Sequence, residues 1–142
     1  MRILAIDHGT RRIGIALSDE LHIIAQPREF IPADPFPEFL ARLKQILREQ
    51  EVGLVLVGMP RNMDGSYGPA ALKVQEFVAV LNEVIGVPIK TWDERLTSVQ
   101  ANRFLRQAQV RGRKQKEKVD QTAAAILLQS YLDSVGGSSD VV

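Results

Sequence analysis

Two short apolar runs open the chain, Ile3-Leu4-Ala5-Ile6 and Ile13-Gly14-Ile15-Ala16-Leu17, with a polar glycine loop between them. Both are continuous rather than alternating. That pattern predicts a β-hairpin whose two strands are largely buried. Leu21-His22-Ile23-Ile24-Ala25 predicts a third strand or its extension. It continues extended through Ile31, and Pro27 confines it to an edge. Pro32 to Pro37 reads as a loop into a helix start. Phe36, Phe39, Leu40, Leu43, Ile46 and Leu47 then recur at helical spacing along one face. Gly53-Leu54-Val55-Leu56-Val57-Gly58 predicts a buried parallel strand. Pro69 suits the first turn of a second helix, with Val74, Phe77, Val78, Leu81 and Ile85 on its apolar side. Val87 to Trp92 predicts another strand. Thr97 or Ser98 is the expected cap of a helix carrying Ala101, Phe104, Leu105 and Ala108. The last helix is expected from about Glu117 to Asp133.

Hairpin, helix, strand, helix, strand, helix is an α/β plan. It calls for a mixed central sheet, opened by the antiparallel hairpin and flanked by helices. One domain is expected over residues 1–135, with a flexible tail at 136–142 that Gly136-Gly137-Ser138-Ser139 begins. Sites in such sheets lie beyond the carboxyl ends of the strands. Asp7, the loop after Gly58 and Asp93-Glu94 all fall at such ends, so the topology lets them converge.

Asp7 ends a buried strand and opens onto His8-Gly9-Thr10-Arg11-Arg12. A carboxylate there calls for a cationic partner: a metal ion, a basic side chain or the Mg²⁺ of a nucleotide. Asp93 and Glu94 point to opposite faces by strand alternation, and the residues alone leave open which one serves Asp7. Asp120 shares a helical face with Ala123, Ala124 and Leu127, the side expected to pack on the sheet. Three carboxylates without a His or Cys cluster suit Mg²⁺ or Mn²⁺. Two such ions can clamp the attacking and leaving oxygens of a phosphodiester. Arg11, Arg12, Arg61, Arg95, Arg111, Arg113 and Lys114 are available for flanking phosphates. The loop from Arg61 and Asn62 to Gly68 runs into a helix N-terminus, a natural phosphate site.

Composition narrows the reading only in part. The 142 residues are 45% hydrophobic and 25% charged, an ordinary globular mix. Net charge is +1, so any polyanion contact rests on local patches such as the basic stretch 103–118. Absent cysteines exclude thiol catalysis and Cys-zinc sites and fit a reducing compartment. With no signal segment and no run of membrane-spanning length, a soluble cytoplasmic protein is expected.

Four stretches together resemble the YqgF, or RuvX-like, family: AIDHGTRRIGIALSD at 5–19, VGMPRNMDGSYGPAA at 57–71, WDERLTSVQA at 92–101 and KVDQTAAAILLQSYLD at 118–133. That family belongs to the ribonuclease H-like nucleases and is related to the RuvC-type Holliday junction resolvases. The resemblance implies a ribonuclease H-like fold and metal-dependent phosphodiester cleavage. It maps the family's acidic positions onto Asp7, Glu94 and Asp120, favouring Glu94 over Asp93. Substrate contacts are expected from Arg11, Arg12, Arg61, Asn62 and Arg95. The implied substrate is structured RNA, in 5′-end processing of the small-subunit ribosomal RNA precursor, or else branched DNA in junction resolution. Monomer and homodimer both remain open. Two competing classes are an actin-like phosphotransferase, since Asp-x-Gly-Thr also resembles that class's phosphate loop, and a non-catalytic nucleic-acid-binding module. The first lacks a second lobe here, and the second is disfavoured by the three acids.

Overall fold

The apolar runs sort onto the two faces of one sheet because successive strand residues point to opposite sides. A computed structural model describes residues 1–96 and 122–141, with side chains through residue 136. The strands are β1 (Arg2–Asp7), β2 (Arg12–Ser18), β3 (Ala25–Pro32), β4 (Val52–Met59) and β5 (Ile89–Asp93). The helices are α1 (Phe36–Glu49), α2 (Pro69–Val84) and α3 (Ala123–Val141), and a single 3₁₀ turn, Glu94–Leu96, follows β5. The order across the sheet is β3-β2-β1-β4-β5. β1 pairs antiparallel with β2 and parallel with β4, and β5 is parallel to β4. The sheet is therefore mixed, as the hairpin-first plan predicts.

Leu4, Ile6, Ile15, Val55 and Val57 cluster with Phe39, Leu43, Ile46, Phe77 and Leu81 of α1 and α2. Ile3, Ala5, Ala16 and Leu56 cluster with Ala124, Leu127, Leu128 and Leu132 of α3. With helices on both faces, β1 and β4 read as unbroken apolar runs. Phe39, Leu43 and Ile46 are fully buried, each contributing about 1.5–3 kcal/mol by leaving water. Pro69 stands in the first turn of α2, where its missing N–H removes no helical bond.

The structure differs from the sequence reading at several places, among them β5, which begins at Ile89 rather than Val87, and α3, which begins at Ala123 after a non-helical Thr122 rather than near Glu117. Residues Leu21–Ile24 form a turn instead of a strand, because the Asp19 carboxylate accepts the N–H groups of Ile23 and Ile24 at 2.7 and 3.0 Å. An Asp that bonds its local backbone competes with ladder formation. β3 begins only at Ala25, at the sheet edge, with Pro27 next to a register shift between Ile15 and Ala16. The last helix extends to Val141 rather than stopping near Asp133. Each added helical residue closes its own backbone bond, so propagation outlasts the apolar face. The expected helix after Thr97, the basic stretch and residues 117–121 lie outside the described residues.

Candidate active site

Three parallel strands carry their carboxyl ends to one edge of the sheet, which brings Asp7, Met59 and Asp93-Glu94 to the same edge. Asp7 continues the alternation of Ile3 and Ala5, so its side chain belongs to the α3 face. Its register partner on β2 is Gly14. On the other side, Ile6 pairs with Val57, so Gly58 is the next position along β4. Asp7 thus has a glycine beside it on each neighbouring strand.

Those glycines leave room above the strands. A Cβ built on Gly58 would stand 2.9 Å from Glu94 Oε2 and 3.1 Å from a Leu127 methyl. The Glu94 carboxylate therefore lies directly over Gly58, beneath α3, and Glu94 is only 4% exposed. A Cβ on Gly14 would stand 3.3 Å from the Phe30 ring and 3.7 Å from Ala124. At Gly9 a Cβ would collide with the Arg12 carbonyl, so the hairpin loop closes only with glycine there. Thr122 is buried and caps α3, accepting the Ala125 N–H at 3.2 Å through its hydroxyl. The first turn of α3 is fixed over this end of the sheet.

Asp93 is turned to a different task. It accepts from Arg95 at 2.9 Å and pairs with Arg61 at 3.4 Å. The bond from the Arg95 side chain, helped by its backbone N–H and by Arg61, holds the Asp93 carboxyl below the usual range against the opposing effect of burial. Arg61 also donates to the Gly65 carbonyl and lies 4.5 Å over the Tyr67 ring. Asn62 closes the same loop, donating to the Ser66 hydroxyl at 3.0 Å and the Ser66 carbonyl at 2.9 Å. Arg61, Asn62 and Arg95, expected to hold substrate, thus also pin residues 61–66 to the end of β5. Arg11 and Arg12 are exposed at the hairpin end. Arg12 lies 4.1 Å from the centre of the Phe30 ring.

A cleft of about 230 Å³ opens at this end, lined by His8, Thr10, Pro60, Lys73 and Glu94 among others. The His8 ring rests 4.5 Å from Phe77 of α2. Burial lowers its pKa, with Asp7 opposing and Lys73 reinforcing the effect. A larger cavity, about 410 Å³, lies at the opposite end beside Arg2, Asp19 and Arg28, remote from the two acids. Among the described residues no three His, Cys, Asp or Glu side chains gather around one point. Asp120, the third acid expected of the site, lies outside those residues, as do Arg111, Arg113 and Lys114. No helix among the described residues is long and apolar enough to cross a membrane.

Sequence reasoning missed the paired glycines and Phe30. Gly14 inside an apolar strand was the available signal, since a strand glycine often marks a close approach.

A family model described as RuvX, Holliday junction resolvase, matches residues 1–134. Two relatives named pre-16S rRNA nuclease are similar over nearly the whole chain. The one from Halothermothrix orenii is 45% identical, covering 94% of this chain and 95% of its own. The one from Desulforamulus reducens is 48% identical, covering 94% and 98%. Among solved structures, Thermus thermophilus RuvC in complex with a Holliday junction substrate aligns with a TM-score of 0.57 at 17% identity, over 97% of both chains. That likeness extends the family match to the RuvC-like, ribonuclease H-like fold.

Proposed function

As a member of the RuvX family of Holliday junction resolvases, to which the chain belongs, it is a nuclease that hydrolyses phosphodiester bonds, and we propose that its substrate is the precursor of 16S ribosomal RNA. The substrate reading is supported by the names of relatives 45–48% identical over nearly their full length. The observation that carries the site is the buried Glu94 carboxylate lying over Gly58, one strand from Asp7. In this reading Asp7, Glu94 and Asp120 are the catalytic acids. The reaction takes place in the cytoplasm.

The donor set fits a hard divalent cation, Mg²⁺ or Mn²⁺. Its members are carboxylates, and the chain has no cysteine to favour softer metals. Gly58 keeps open the space beside Glu94 Oε2 that a side chain would fill. Bound by Asp7, Glu94 and Asp120, such cations, two in the full site, supply Lewis acidity and a lowered water pKa for phosphodiester hydrolysis.

The remaining work falls to the chain's own side chains. The C-terminal edge of the sheet holds Asp7 rigidly, and the cover of α3 keeps bulk water from Glu94. Arg11 and Arg12 meet phosphates on the hairpin side. Arg61, Asn62 and Arg95 shape the opposite wall, where the loop enters α2 and the helix N-terminus favours an anion. Asp93 keeps both arginines oriented.

A branched DNA substrate is the second reading, favoured by the family's description and the RuvC likeness of the fold. The test compares the wild type with Asp7→Asn, in Mg²⁺ and in Mn²⁺, on a precursor 16S rRNA fragment and on a four-way DNA junction. The expected result is metal-dependent cutting of the RNA that disappears in the variant while the fold is kept. Preferential cutting of the junction would replace the substrate. Undiminished cutting by Asp7→Asn would remove the site.

A further inference from the structure

Phe30 lies on the edge strand and is 45% exposed as a residue. Its neighbours in space are informative. The ring leans over Gly14, with its Cε1 atom 3.3 Å from where a Cβ would be. Gly14 pairs with Phe30 on one side and with Asp7 on the other. Ring and carboxylate therefore share one face and one level of the sheet. Two strand spacings, about 10 Å, separate their backbones. About three stacked nucleotides span that distance at 3.4 Å each.

Arg12 completes the arrangement. Its guanidinium lies 4.1 Å from the Phe30 ring centre, and no ion pair holds it among the described residues. Arg11 is exposed next to it. An exposed aromatic beside an arginine plane is the combination that takes unpaired bases, by stacking on the ring or the guanidinium, while the cations meet the backbone. A single exposed apolar residue would mean little. Here the ring lies against the Arg12 guanidinium and is in register with a catalytic acid.

We propose that Phe30 and Arg12 form a stacking platform for an unpaired nucleobase of the substrate strand, a few nucleotides from the bond that is cut. The proposal rests on the nuclease reading above and adds to it a requirement for single-stranded substrate next to the cleavage point. The occupant is a base rather than a protein segment, because the charge that lies against the ring is the Arg12 guanidinium, a partner for a phosphate backbone.

The test is binding without cleavage. Short single-stranded RNAs carry 2-aminopurine at successive positions and are titrated with protein in EDTA. The wild type should quench the fluorophore at one or two adjacent positions. Phe30→Tyr should keep the quenching. Phe30→Leu keeps an apolar cover over Gly14 but has no π face. It should lose the quenching and bind about 5- to 150-fold more weakly, the range for base–aromatic stacking. An abasic site at the quenched position should weaken the wild type similarly and leave Phe30→Leu little changed. Wild-type affinity and quenching in Phe30→Leu, or no quenching at any position in the wild type, overturns the platform. Cleavage is scored separately. Metal-dependent cutting with binding indifferent to Phe30 sinks the platform alone, whereas ring-dependent binding by a protein that cuts neither substrate sinks the nuclease reading alone.

Discussion

Replacing Gly58 by alanine tests whether the space above β4 sets the position of Glu94. The new methyl would stand 2.9 Å from Glu94 Oε2 and 3.1 Å from Leu127 Cδ2, whereas ordinary contact begins at 3.4 Å. The carboxylate must retreat by about 0.5 Å and the leucine by about 0.3 Å for the contacts to relax. Misplacing a reacting group by 1 Å costs on the order of a hundredfold in rate, so about half that displacement predicts roughly a tenfold loss of kcat. Overpacking a tight site adds about 1–3 kcal/mol of destabilisation, or roughly 3 to 12 °C in Tm for a chain of this size. The assay is single-turnover cleavage well below the lower Tm, alongside thermal unfolding. Gly86→Ala is the control, since a Cβ there meets nothing within 4 Å. A Gly58→Ala protein with a lowered Tm but the wild-type rate would refute the reasoning. It would mean that Leu127 absorbs the methyl and Glu94 does not depend on that space.

Further outcomes follow from the polar contacts. Asp93→Asn removes the charge that holds Arg61 and Arg95 and should reduce cleavage with a smaller effect on stability, as kinetics and urea unfolding would show. The folded-state pKa of Asp93 is depressed, chiefly by Arg95. Its stabilisation is therefore present above the ordinary carboxylate pKa and is lost as pH falls through the depressed value. The urea midpoint of the wild type should approach that of Asp93→Asn below about pH 4, and a constant gap between them would contradict the pairing. Ser18 is buried, accepts the Ile3 N–H at 2.9 Å and donates to the Asp19 carbonyl at 2.9 Å. Ser18→Ala should cost about 1–3 kcal/mol in chemical denaturation by stranding that N–H, with cleavage unchanged at the far end of the sheet. Arg42 grips Glu29 through two hydrogen bonds of 2.7 and 2.8 Å, tying α1 to β3. Because that pair is about a third exposed, Arg42→Ala should cost no more than about 1 kcal/mol, and a larger loss would show that the edge strand depends on it.

Periodicity alone determined the skeleton of this protein. The short run Leu54-Val55-Leu56-Val57, rich in valine and bounded by glycines, reads as a strand covered on both faces, and the spacing from Phe39 to Leu47 as a helix with one buried side. Acids at strand ends were legible for the same reason, because a charge that interrupts a buried run is conspicuous. The Asp19 turn was not legible. Leu21 to Ile24 are apolar enough for a strand, and only the local backbone bonds to the Asp19 carboxylate exclude one. The neighbouring acids Asp93 and Glu94 show the same division. Their residue types are equivalent in sequence, and what distinguishes them is company from elsewhere in the chain. Arg61, thirty-two positions away, captures one, and the bare backbone of Gly58 makes room for the other. Phe30 reads along the chain as one apolar residue on an edge strand. It becomes a candidate platform only when sheet register sets Gly14 between it and Asp7, since side-chain neighbours across strands are fixed by pairing and not by sequence separation.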